Sequence, residues 1–159
     1  MKCIVLSRML AESECRMSRI TEPHVVISVY TPGGAPANVV RNEHCRGVLP
    51  VCFDDIARTA FRDDKKITEA ERTMKRHLVF FDETIANAIL DFFRKHRETG
   101  VETFVVHCNH GENRSPAIAA ALLKIAGERN QADEFRESLR FTPNKEIYDT
   151  LLKIAAIAT

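Results

Sequence analysis

The sequence lacks any surplus of charge: 23 lysines and arginines offset 22 aspartates and glutamates, leaving a formal +1. So even a balance offers no bulk attraction to nucleic acid or to an anionic membrane surface, and neither is expected as a partner. No apolar run reaches membrane length, and Met1-Lys2-Cys3-Ile4-Val5-Leu6 gives way to Ser7 and Arg8 too early for a signal-peptide core. A cytoplasmic location is the default expectation. Paired cysteine spacing is missing as well. The five cysteines (Cys3, Cys15, Cys45, Cys52, Cys108) are odd in number and irregularly spaced, which argues against a disulfide framework and a zinc site alike. The six histidines show no metal-ligand spacing, so neither metal nor cofactor is expected. Low-complexity runs and basic tails are absent too, and 159 residues suit one domain, 1–159.

What the chain does have is concentrated between Thr103 and Gly127. An apolar run (Val101, Phe104, Val105, Val106) reads as a strand, and the alanine- and leucine-rich stretch from Pro116 as a helix. Ser115 and Pro116 suit an N-cap and first helical position, and Gly127 a stop. Between strand and helix runs Cys108-Asn109-His110-Gly111-Glu112-Asn113-Arg114-Ser115, with five residues separating cysteine from arginine. A loop running into a helix N-terminus turns its amides inward and adds the positive end of the helix dipole, a setting that favours a phosphate dianion. Gly111 permits a tight mid-loop turn. Arg114 can grip two phosphate oxygens with its planar fork. The same field favours a Cys108 thiolate, a nucleophile facing an electrophilic phosphorus. Spacing alone is not enough, because Cys52 and Arg58 are also separated by five residues. That second copy has no glycine, carries two acids and opens no capped helix.

The run His107-Cys108-x-x-Gly111-x-x-Arg114-Ser115 resembles the phosphate-binding loop of cysteine-dependent protein tyrosine phosphatases. It is most similar to the dual-specificity-like branch and to small predicted tyrosine phosphatases of bacteria and their viruses. The resemblance implies Cys108 as nucleophile, Arg114 as phosphate and transition-state ligand, and Ser115 as hydroxyl partner of the leaving thiolate. It gives His107 the task of orienting the loop. Asn109, His110, Gly111, Glu112 and Asn113 then line the phosphate site.

Taken in order, Cys3 to Leu6 reads as a short strand, with loose helical spacing of Leu10 and Met17 in the Ser7–Arg19 stretch that follows. His24 to Tyr30 reads as a buried strand leading into a Thr31–Pro36 turn. Gly47 to Phe53 reads as a third strand, which Pro50 consigns to a sheet edge or bulge. It delivers Asp54 and Asp55. In the family resembled, a comparable strand ends in an aspartate that protonates the leaving oxygen, which favours Asp55, with Asp54 or Asp82 as alternatives. Asp82 is also placed to cap the helix from Glu83, whose apolar residues Ile85, Ala88, Ile89, Phe92 and Phe93 recur at helical spacing.

The family's usual short connection after the acid is replaced here by an insertion, Ile56 to Phe81, rich in charge and expected to be helical over Thr68–Arg76. It is either a cover over the active site that selects substrate or a solvated surface excursion. Two further helices are expected: Asn130–Arg140 with Ala132, Phe135 and Leu139 inside, then Lys145–Ala158 opened by Thr142-Pro143.

The element order implies a single α/β domain with a mostly parallel central sheet flanked by helices and the phosphate loop between a strand and a helix. The expected activity is phosphomonoester hydrolysis through phosphocysteine, on phosphorylated protein or a small phosphomonoester. A catalytically weak phosphate-binding module and a thiol-based sulfur or arsenate transfer enzyme are the alternatives. Against phosphoinositides, the loop carries Glu112 and no lysine.

Overall fold

Apolar runs of six to eight residues form the four strands of the computed structural model, which describes residues Met1–Ile157. They are β1 (Lys2–Ser7), β2 (His24–Tyr30), β3 (Cys45–Cys52) and β4 (Thr103–Cys108), paired in parallel in the order β1-β4-β2-β3. Sequence and position agree. β4 and all of β2 but Tyr30 are buried, as inner strands covered on both faces must be, whereas β1 and β3 at the edges are only partly buried. β3 begins two residues before the expected Gly47, and Pro50 lies within it at the sheet edge.

Six α-helices occur among the described residues: α1 (Arg8–Arg16), α2 (Asp64–Met74), α3 (Glu83–Glu98), α4 (Arg114–Ile125), α5 (Arg129–Glu137) and α6 (Lys145–Ile157). The larger core contains buried residues of α3, α4 and α6, with Phe93 against Phe104 at 5.2 Å between ring centroids. A smaller cluster, Cys15, Ile20, Val26, Cys45 and Val105, lies under α1. No helix of the described residues is long and apolar enough to cross a membrane.

Several expected details need correction. α1 buries Ala11 and Cys15, one turn apart, while Leu10 and Met17 face solvent. α2 starts at Asp64 rather than Thr68, capped by Asp63, and ends before Lys75, which adopts the left-handed conformation. The buried face of α3 is Ala86, Ile89, Leu90 and Phe93; Ala88 is exposed. Asp82 does cap α3, its carboxylate accepting from the Ile85 amide at 2.9 Å. α5 ends at Glu137, leaving Leu139 wholly exposed. α6 is capped by Asn144, whose Oδ1 accepts from the Glu146 and Ile147 amides at 3.0 and 3.3 Å, and not by Thr142. Its expected last residue, Ala158, lies outside the described residues.

Candidate active site

The carboxyl ends of all four strands meet around one loop, where open parallel sheets hold their ligands. β4 ends on Cys108, in register with Ser7 of β1. Loop 109–113 then rests on the β1–α1 junction, where the Arg8 amide donates to the Asn109 carbonyl at 3.2 Å. Gly111 makes this possible. Its φ is +78°, and a Cβ there would lie 2.8 Å from the Leu6 carbonyl carbon and oxygen. On the far side, the Thr142 amide donates to the Glu112 carbonyl (3.0 Å) and the Asn144 amide to the Asn113 carbonyl (3.2 Å). The loop is therefore held from both flanks.

Cys108 is 2% exposed, and its Sγ accepts from the Gly111 amide at 3.2 Å. Ser115 Oγ lies 3.2 Å from the same sulfur. Here the expected N-cap role of Ser115 fails: α4 begins at Arg114, so Ser115 sits inside the first turn with its hydroxyl facing the cysteine. Asn113 takes the cap position without a side-chain cap bond, because its amide group is engaged elsewhere. It donates to Asp55 Oδ2 at 3.0 Å and accepts from Thr142 Oγ1.

Arg114 is 3% exposed, a buried guanidinium anchored by one nitrogen. Its Nη1 donates to the Phe53 carbonyl at 2.7 Å and to Thr31 Oγ1 at 3.2 Å, with the Phe53 ring 5.8 Å from its central carbon. Among the described residues nothing hydrogen-bonds Nε, which lies 3.9 Å from Asp55 Oδ2. A buried, unpaired guanidinium N–H is costly without an acceptor, and a tetrahedral oxyanion supplies several.

The three candidate acids have separated. Asp54 is buried and accepts from both Arg76 terminal nitrogens, at 2.9 and 2.5 Å, and from the Val79 amide at 2.9 Å. Burial pushes its carboxyl up, but the bonds from Arg76 and Val79 and the Arg76 charge outweigh this and hold it below the ordinary aspartate range. Asp82 is occupied as a helix cap. Asp55 remains beside Arg114, its side chain about one-third exposed.

His107 is fully buried, with Nε2 2.8 Å from Ser28 Oγ on β2. Burial lowers its pKa to about 4, so at neutral pH it bridges β4 to β2 without charge. Asn109 reaches Thr31 Oγ1 at 3.2 Å, while His110 and Glu112 are exposed. Thr31, Ser28 and Arg76 were not singled out as site residues by sequence, although Thr31 opens the turn at the carboxyl end of β2, where such a residue belongs. Cys3 is remote, at the opposite end of β1 from Cys108, and burial pushes its thiol up to about 12. Among the described residues no group of three or more His, Cys, Asp or Glu side chains gathers to hold a metal ion.

By sequence, no protein-family model matches the chain, and comparison with curated proteins gives no match. Solved structures do match. The human tyrosine phosphatase-like serine/threonine/tyrosine-interacting protein is similar at a TM-score of 0.56 and 15% identity, over 98% of this chain and 92% of that one. A mouse putative dual specificity phosphatase, complexed with zinc tungstate, gives 0.54 and 16% over 98% and 82% of the two chains. Human DUSP28 gives 0.51 and 15% over 98% and 92%. The chain has the fold of the dual-specificity and tyrosine phosphatases.

Proposed function

We propose that this chain is a single phosphatase-like domain, 1–159, and a cysteine-dependent phosphomonoester hydrolase of the protein tyrosine or dual-specificity type. The observation that carries the reading is the convergence of Cys108 Sγ, the Gly111 amide, Ser115 Oγ and the unpaired Arg114 Nε on one loop, with Asp55 at 3.9 Å from that nitrogen.

The chemistry runs in two steps. Cys108 thiolate attacks phosphorus, the phosphorus–oxygen bond to the leaving group breaks, and Asp55 gives its proton to the departing oxygen. Water then attacks the phosphocysteine and returns its proton to Asp55; the phosphorus–sulfur bond breaks, and the Ser115 hydroxyl stabilises the leaving thiolate. Throughout, the loop 109–115 amides and Arg114 hold the equatorial oxygens, the charge stabilisation on which phosphoryl transfer chiefly depends. General acid catalysis by a group in the Asp55 position contributes about 10²–10⁴-fold. Neutral His107 steadies the strand end below. Asn109, His110 and Glu112 form the exposed rim, and an acidic rim residue fits a phosphorylated protein better than a polyphosphorylated headgroup. A small phosphomonoester is the alternative substrate. Five free thiols suit a reducing compartment such as the cytoplasm.

Hydrolysis of para-nitrophenyl phosphate in the presence of chelator tests the reading. Turnover in the native chain that disappears in Cys108→Ser is the expected result. Phosphate binding without turnover in the native chain would instead favour a phosphate-binding module.

A further inference from the structure

We infer that the inserted segment 56–81 is a clamp on the acid, with Arg76 acting as the positioning residue for Asp55. The inference rests on the phosphatase reading above and deepens it.

The connection runs through a single residue. Arg76 Nη1 and Nη2 donate to the two carboxylate oxygens of Asp54 at 2.9 and 2.5 Å, a two-pronged contact that fixes the carboxylate plane as a lysine cannot. The Val79 amide donates to Asp54 Oδ2 at 2.9 Å, and the Asp54 amide returns a bond to the Val79 carbonyl at 2.7 Å. Asp54 is thus gripped by side chain and backbone from the far end of the insertion. Its neighbours do the work. On one side the Phe53 carbonyl anchors Arg114 Nη1 at 2.7 Å; on the other, Asp55 meets Asn113 of the phosphate loop at 3.0 Å. Any loosening of Asp54 falls chiefly on Asp55, because Arg114 Nη1 keeps a second anchor on Thr31 Oγ1 at 3.2 Å.

The rest of the insertion fits a clamp better than a cover. α2 buries no residue and carries only Ile67, Ala70 and Met74 as apolar side chains, a narrow stripe for a closing lid to lay over a substrate. Its two flanks are instead tied down: Arg58 and Thr59 amides to Glu146 on α6 at 3.3 and 3.4 Å, and Phe81 against Phe53 at 5.0 Å. Arg76 is itself steadied, since Nη1 also donates to the His77 carbonyl at 2.9 Å.

A leaving-group series separates positioning from simple structural support. Phenyl phosphate needs its oxygen protonated, whereas 2,4-dinitrophenyl phosphate departs well without an acid. For Arg76→Ala, kcat/KM on phenyl phosphate is expected to fall about tenfold or more, and on the dinitrophenyl ester by less than about threefold. In an Asp55→Asn background the same substitution should change phenyl phosphate hydrolysis by less than about twofold, because the group it positions is already gone. Arg76→Lys keeps the charge and loses the fork, and serves if the alanine variant fails to fold; it should show the same selectivity for the poor leaving group. Equal losses on both esters, or full additivity with Asp55→Asn, would overturn the clamp while leaving the phosphatase reading intact. A native chain inactive on every ester would overturn both.

Discussion

Gly111 is the residue on which the phosphate loop turns. A methyl group there meets the Leu6 carbonyl at 2.8 Å and the Ser7 amide at 2.9 Å, backbone atoms of β1 and its junction with α1 that have nowhere to go. The φ of +78° adds a conformational cost for any side chain. Gly111→Ala should therefore lift the loop off β1 and withdraw the amide that now faces Cys108. We expect kcat/KM for para-nitrophenyl phosphate to drop by about two orders of magnitude, since one oxyanion-holding amide carries about that much. Ser115 carries two readings in the sequence. The Ser-Pro pair reads as a cap, whereas the resemblance pairs its hydroxyl with the thiolate; the hydroxyl lies 3.2 Å from the cysteine sulfur, and with α4 starting at Arg114 the cap role falls away. Asp54 and Asp55 are harder still. Adjacent acids point to different surroundings, and what separates these two is Arg76, 22 positions downstream of Asp54.

At the scale of elements, α6 depends on a cap that the sequence disguises. Thr142-Pro143 imitates a start signal, but Asn144 holds the two amides and Thr142 is drawn aside to Asn113. Asn144→Ala should cost about 1 kcal/mol, a fall in Tm of about 3 °C by calorimetry, while Thr142→Ala leaves the α6 cap untouched. The strand–loop–helix unit from Thr103 to Ile125 was readable because all its determinants are local: β-branched residues, glycine, then alanine and leucine. Leu139 was misplaced for the opposite reason. Its helical spacing is genuine, but α5 has already ended, and tertiary packing decides where a helix stops.

For the whole molecule, two buried ionisable groups contribute to the acid side of stability. His107 titrates at about 4 in the folded chain against an ordinary value near 6.5, so the unfolded chain binds the extra proton first. Folding is unpenalised above pH 6.5 and loses up to about 3 kcal/mol as pH falls toward 4. Asp54, held below the ordinary aspartate range chiefly against its own burial by Arg76 and Val79, keeps its contribution through that window and gives it up at still lower pH. Urea midpoints measured between pH 7 and 4.5 should fall steadily for the native chain and much less for His107→Asn. The sheet order that gathers these groups is not written in the sequence. The four strands, and the helices after β1, β3 and β4, are, through run length and period; the insertion of β4 between β1 and β2 arises from long-range pairing alone.

Pro50 lies within β3, at the open margin of that sheet. The Phe53 amide donates inward to Tyr30, and in a parallel ladder the amides alternate, so position 50 faces away from β2. The proline thus removes a donor only where a foreign strand would have sought one. It leaves the native ladder whole and denies neighbouring molecules a template, a safeguard against the edge-to-edge aggregation to which a margin carrying Val48, Leu49 and Val51 would otherwise be prone.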